Sequence, residues 1–316
     1  MTLKFWFDSQ EFYHLIGFLL AIGHDINDIY KISSNRTKDE FRNWSKEQIA
    51  LKLFMDSCQS YKSFLDNLNS WDNLDNLDKD FKLLNNLSYN NDRQKTQNII
   101  LLFNIITYMN SNLKFSFKEN VKWRLEHIHA QHDDVKKIKN EENRTEWIKN
   151  ALDAIDKNFT SSKNNAKGRI LEDLKRYGDT IESIRQKLCP DKKSPSPDEK
   201  SPISEEGVFE EIANKIINQI QSNEAGNDIH DIGNLALLSC EDNASLGNNI
   251  FFVKINKIKE LDRDGKFIPI CTKNVFMKYY SKDMEKNNIN WTKNDACNYK
   301  KEILKSIKTF FKGQEN

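Results

Sequence analysis

Apolar positions recur at helical spacing through much of the chain. Phe12, Leu15, Ile16 and Leu19 share one face, and Ile49, Leu51, Leu53, Phe54 and Met55 suggest a second helix. Residues 98–109, NIILLFNIITYM, are apolar nearly all round, which predicts a central buried helix. Residues 133–188 read as charged amphipathic helices, with Trp147, Ile148, Leu152 and Ile155 on one stripe. Residues 208–221 give another through Phe209, Ile212, Ile216, Ile217 and Ile220. Two stretches break this texture. One is WRLEHIHAQ at 123–131, which reads as extended. The other is 228–255, where a Gly-Asn turn leads into a strand-like run at 235–238, an Asn-rich loop and a helix near Asn243. With the helical insert at about 133–227 set aside, the order is strand, turn, strand, helix.

Composition limits the choices. The 316 residues allow about two domains on a soft prior of roughly 150 residues each. With 19 Phe and 6 Trp the chain can fill a core, which excludes wholesale disorder. No apolar run approaches the roughly 20 residues that cross a bilayer, and the N-terminus lacks a secretory pattern. The five cysteines are an odd number with no CxxC pair, so neither a disulfide framework nor a cysteine zinc site is expected. These features predict a cytoplasmic, reduced protein without a membrane partner. Four of the five prolines lie between Pro190 and Pro202, in a Ser- and charge-rich stretch that reads as a linker. The 38 Asn, and 39 Lys against 9 Arg, reflect a compositional bias, so an Asn carries meaning only through its spacing.

One constellation has that spacing. Glu126 and His127 are adjacent in the first extended segment. Asn234 opens the second strand, and Asn243 follows nine residues later near a helix start. This is the residue set and order of the ββα-metal (HNH, or His-Me finger) motif. A carboxylate and a carboxamide suit a hard cation, Mg²⁺ or Mn²⁺. A neighbouring histidine, with an unperturbed pKa of about 6.5, suits proton abstraction from water. His129, two residues on along a strand, would point to the same side as His127, either touching metal or phosphate or simply packing. His230 precedes the second strand and could face the scissile phosphate. Asn243 could instead serve as a helix N-cap.

The segments LEHIHAQ, IGNLALLS, DNASLGNNIFFVKI, GKFIPICTKNVFMKYYS and WTKNDACNYKKEILKSIKTFF together resemble the C-terminal nuclease region of GmrSD-type restriction proteins. FWFDSQEFYHLIGFLLAIG, NIILLFNIITYM and FSFKENVKWRLEHIHAQ resemble the helical region that precedes it. The resemblance covers most of the chain outside the insert. It implies Glu126 and Asn243 as metal ligands, His127 as general base, and Asn234 orienting His127 or bracing the loop. Asn248 rivals Asn243. The family's EHIxPQ pattern is broken by Ala130. No DGQQR-type sensor motif and no Gly-rich phosphate loop occurs, so the resemblance implies either a ParB-like, NTP-dependent sensor subunit as partner or a missing N-terminal sensor domain.

The expectation is a mainly α protein with a small ββα-metal motif: a helical domain at 1–118 and an HNH nuclease domain at 119–316, interrupted by the insert. Its expected activity is metal-dependent hydrolysis of DNA in restriction or antiviral defence. The alternatives are a non-catalytic DNA-binding or scaffold subunit, and an RNase or toxin using the same site. Residues 250–312 carry 15 Lys/Arg against 7 Asp/Glu, a balance of +8, which reads either as a DNA-facing surface or as solvated lysines around an aromatic core. The insert either elaborates the fold or gates the site and binds a partner.

Overall fold

A computed structural model describes residues 3–54, 58–69, 87–117, 121–129, 229–247, 249–281 and 291–313, with isolated positions between 138 and 214. Among the described residues the protein is mainly helical, with one two-stranded antiparallel sheet. The proline-rich linker, Asn248 and nearly all of the insert lie outside the described residues. Of the insert's predicted stripe, Trp147 and Ile148 are described, and both are buried.

Among the described residues five helices come first: α1 (Leu3–Asp8), α2 (Gln10–Ala21), α3 (Ile26–Ser34), α4 (Lys38–Phe54) and α5 (Tyr61–Asn69). Ser9 caps α2 by accepting from the Phe12 amide, and α2 buries Phe12, Leu15, Ile16, Phe18 and Leu19. Gly17 lets α2 approach the chain at 117, where a Cβ would lie 2.3 Å from the Phe117 ring. His14 is fully buried in α2. Its Nδ1 is 2.7 Å from the Gln10 carbonyl, and its Nε2 accepts from the Phe115 amide at 3.0 Å. Those roles require a neutral ring protonated on Nδ1. Burial, reinforced by Lys114 and opposed by the Gln10 hydrogen bond, holds its pKa below the usual histidine value.

The predicted central helix is α6 (Arg93–Asn110), capped by Asp92 and buried through 98–106. It packs against α2, against the sheet and against two later helices, α9 (Ile270–Phe276) and α10 (Lys293–Lys312). Buried Asn104 joins two of these elements. Its Nδ2 donates to the Ile100 carbonyl, and its Oδ1 accepts from the Cys271 amide at the start of α9. An orphan helix-end donor is thereby satisfied from a neighbouring helix. The Cys271 thiol is fully buried, which pushes its pKa up to about 12 and keeps it inert. Thr292 and Asp295 form a capping box on α10, and Asp295 also pairs with buried Lys278 at 2.7 Å.

Strands β1 (Trp123–His127) and β2 (Leu235–Ser239) pair with Glu126 opposite Ala236 and His127 opposite Leu235. Leu235 to Leu238 are all buried, so the strand reads as a continuous apolar run rather than an alternation. Two strands alone are marginal in water. Here they are covered by α6, α7 (Cys240–Leu246) and α9, while α8 (Phe251–Arg263) packs on α7 and α9. One apolar core runs from Trp6 to Phe311 and includes residues on both sides of position 118.

Candidate functional site

The site is built where β1 ends and β2 begins. A single 3₁₀ turn, Ile232–Asn234, leads directly into β2. Its shape is set by Gly233, where a Cβ would meet the Ala296 carbonyl oxygen of α10 at 2.6 Å. The Gly233 carbonyl accepts from Trp291 Nε1 at 3.1 Å. The Gly-Asn pair is therefore packed against α10 backbone, a contact that no larger residue allows.

Asn234 was expected to open the second strand, but it is the last residue of this turn. Its side chain braces the loops on both sides. Oδ1 accepts from the His129 amide at 2.9 Å, and Nδ2 donates to the carbonyls of His129 and Ile229. Its own carbonyl accepts from the Ile128 amide. This clamp bends the chain at 128–129, so β1 stops at His127. The strand alternation that would align His129 with His127 therefore does not reach His129.

The His127 ring lies against Tyr89, with centroids 4.7 Å apart, and its Nε2 is 3.2 Å from Nδ1 of His230. At this distance one ring nitrogen donates and the other accepts. Residues 87–89 hold His230 from the helical region. The Tyr89 amide donates to the His230 carbonyl, Ser88 bridges Asp231, and the Ile232 amide donates to the Leu87 carbonyl.

Glu126 has a different partner. Adjacent residues on a strand face opposite sides of the pleat, and Glu126 meets α8. Lys254 Nζ is 2.6 Å from its Oε1, and both side chains are buried. The same ammonium donates to the His127 carbonyl at 2.6 Å. Lys254 thus holds the Glu126–His127 pair by one side chain and one backbone oxygen. Its mark in the sequence was a charge inside an apolar helical stretch, FFVKI, which the lysine-rich composition conceals.

Asn243 is the fourth residue of α7, the helix that packs across β1 and β2. Ser239, not Asn243, caps this helix, by accepting from the Asp242 amide at 3.0 Å. Asn243 Oδ1 is buried and has no hydrogen-bond partner among the described residues. Such an acceptor is costly in a finished core. Among the described residues no three His, Cys, Asp or Glu side chains gather into a metal cluster. The expected ligands are one carboxylate and one carboxamide, and the orphaned Asn243 oxygen fits a hard cation in donor type.

The basic C-terminal region is partly committed to structure. Lys254, Lys278 and Lys300 each pair with a carboxylate: Glu126, Asp295 and Asp231. Phe276, Trp291 and Tyr299 are core residues, whereas Tyr279 is exposed. Among the described residues no helix is long and apolar enough to cross a membrane. Compared with protein families, with curated proteins and with solved structures, the chain matches none.

Proposed function

We propose that this chain is a metal-dependent HNH endonuclease acting on DNA, the nuclease part of a restriction or antiviral defence system. The observation that carries this reading is the orphaned Oδ1 of Asn243, on the helix that follows a strand pair bearing Glu126 and His127 and a turn bearing Asn234. Glu126 and Asn243 would hold Mg²⁺ or Mn²⁺, which when bound supplies charge neutralisation at the phosphate. His127 takes the proton of the attacking water, whose oxygen forms the new bond to phosphorus. The bond to the leaving oxygen breaks, and solvent protonates that oxygen. His230 shares the proton held on His127 across their contact. Asn234 keeps the loops beside His127 in place. Lys254 fixes Glu126 and the His127 backbone. A ParB-like sensor subunit or domain supplies the activating signal.

A second reading has one observation in its favour. The Glu126 carboxylate is engaged by a buried ammonium, as expected of a subunit that has kept the fold as a scaffold without the reaction. Cleavage of supercoiled plasmid with Mg²⁺ or Mn²⁺ separates the two. Nicking that stops with EDTA and in His127→Ala supports the nuclease. A folded, metal-supplied protein that leaves plasmid and RNA intact, with and without a sensor partner and nucleotide, overturns it in favour of the scaffold. Cleavage of RNA alone reassigns the substrate.

A further inference from the structure

We infer that Arg93 is a phosphate-docking residue for the nucleic acid strand at this site, held in place by Tyr89. The inference rests on the nuclease reading and adds a binding element from the helical region. The Arg93 guanidinium lies over the Tyr89 ring at 4.4 Å, and that ring also lies against His127 at 4.7 Å and His230 at 6.0 Å. These separations place the guanidinium within about 9 Å of the His127 ring. That is at most two to three nucleotides along a strand rising about 3.4 Å per residue.

Three features set this arginine apart from the residues that build the core. Arg93 is exposed and has no carboxylate partner among the described residues. Glu126 pairs with Lys254 and Asp231 with Lys300, and Asp92 accepts from the Lys95 amide. Arg93 is also the first residue of α6, next to the Asp92 cap, at the helix end where the dipole disfavours a cation. The chain has only nine arginines, so compositional bias does not place one here. A planar guanidinium pre-set by stacking suits a phosphodiester oxygen pair. Tyr89 is a positioning residue. Its backbone is tied to His230, so its ring keeps the cation in register with the two histidines.

The test measures binding of a 20-base-pair DNA duplex in EDTA at several salt concentrations, and plasmid cleavage with Mn²⁺, for the full chain. Arg93→Ala is expected to lower kcat/KM about tenfold, mostly through KM, and to reduce the slope of log affinity against log salt by about 1. Tyr89→Leu reproduces the KM effect, and Tyr89→Phe restores binding because the ring face is kept. Wild-type KM and salt slope in Arg93→Ala, while the wild type cuts, overturn the docking role and leave the nuclease standing. A fall in kcat alone, with binding unchanged, also overturns it. A wild type that neither binds nor cuts removes the nuclease reading and this inference together.

Discussion

His127 Nε2 and His230 Nδ1 stand 3.2 Å apart although 103 residues separate them in the chain. The contact exists because residues 87–89 pair with 230–232 while Asn234 clamps the bend after His127. If the pair handles the proton of water, the two histidines should differ in weight. His127→Ala is expected to lower cleavage by about 10²–10⁴-fold. His230→Ala should cost about tenfold, since it removes only the ring that shares the proton. Single-turnover rates on plasmid check this, and equal losses in both variants would assign His230 a direct role.

Lys254 and Glu126 form a buried ion pair, with side chains 2% and 8% exposed. Removing one partner of such a pair leaves an uncompensated charge, so Lys254→Met should destabilise the fold by about 3–5 kcal/mol. Glu126→Gln in the same chain should recover part of that loss. Urea unfolding of the two single variants and the double variant measures the coupling. A cost below about 1 kcal/mol for Lys254→Met would show that the pair is not buried in solution.

Asn243 Oδ1 is an unsatisfied acceptor among the described residues. An acceptor left unpaired costs about 1–3 kcal/mol. Asn243→Ala should therefore leave the metal-free fold no less stable. It should also abolish the rise in Tm that Mg²⁺ produces in the wild type, because binding to the native state alone is what raises it. Equal Mg²⁺ shifts in wild type and variant would remove Asn243 from the ligand set.

His14 makes stability depend on pH. Its folded pKa is lowered by burial, so the unfolded chain binds more protons below about pH 6.5. The stabilisation from the neutral ring is complete above that value and is lost as pH falls from there through the folded pKa. His14→Leu loses the acceptor for the Phe115 amide, which lowers stability at pH 8 by about 1–3 kcal/mol. It also flattens the acid limb. Unfolding free energies from pH 8 to pH 5 would show an unchanged slope if His14 were not the titrating group.

Gly233→Ala tests the turn before β2. The new Cβ would meet backbone of α10, not a flexible side-chain tip. Destabilisation of about 1–3 kcal/mol is expected. Asn234 should also be displaced, so cleavage falls more than stability alone explains. Full activity in a stably folded variant would separate the turn from the site.

Periodicity alone determined much of this protein. The all-round apolar run at 98–109 forms most of α6, and the run at 235–238 forms most of β2, because burial on every side leaves the same signature before and after folding. The spacing of Glu126, His127, Asn234 and Asn243 was legible because three short elements carry those residues. The C-terminal bound of β1 was not legible, because it is set by the Asn234 amide reaching across from 105 residues away. The His127–His230 contact and the burial of Lys254 against Glu126 depend on the same kind of closure. Each joins residues whose local patterns are independent. A sequence records which face of an element is apolar, but only packing decides which polar group from a distant element meets it there.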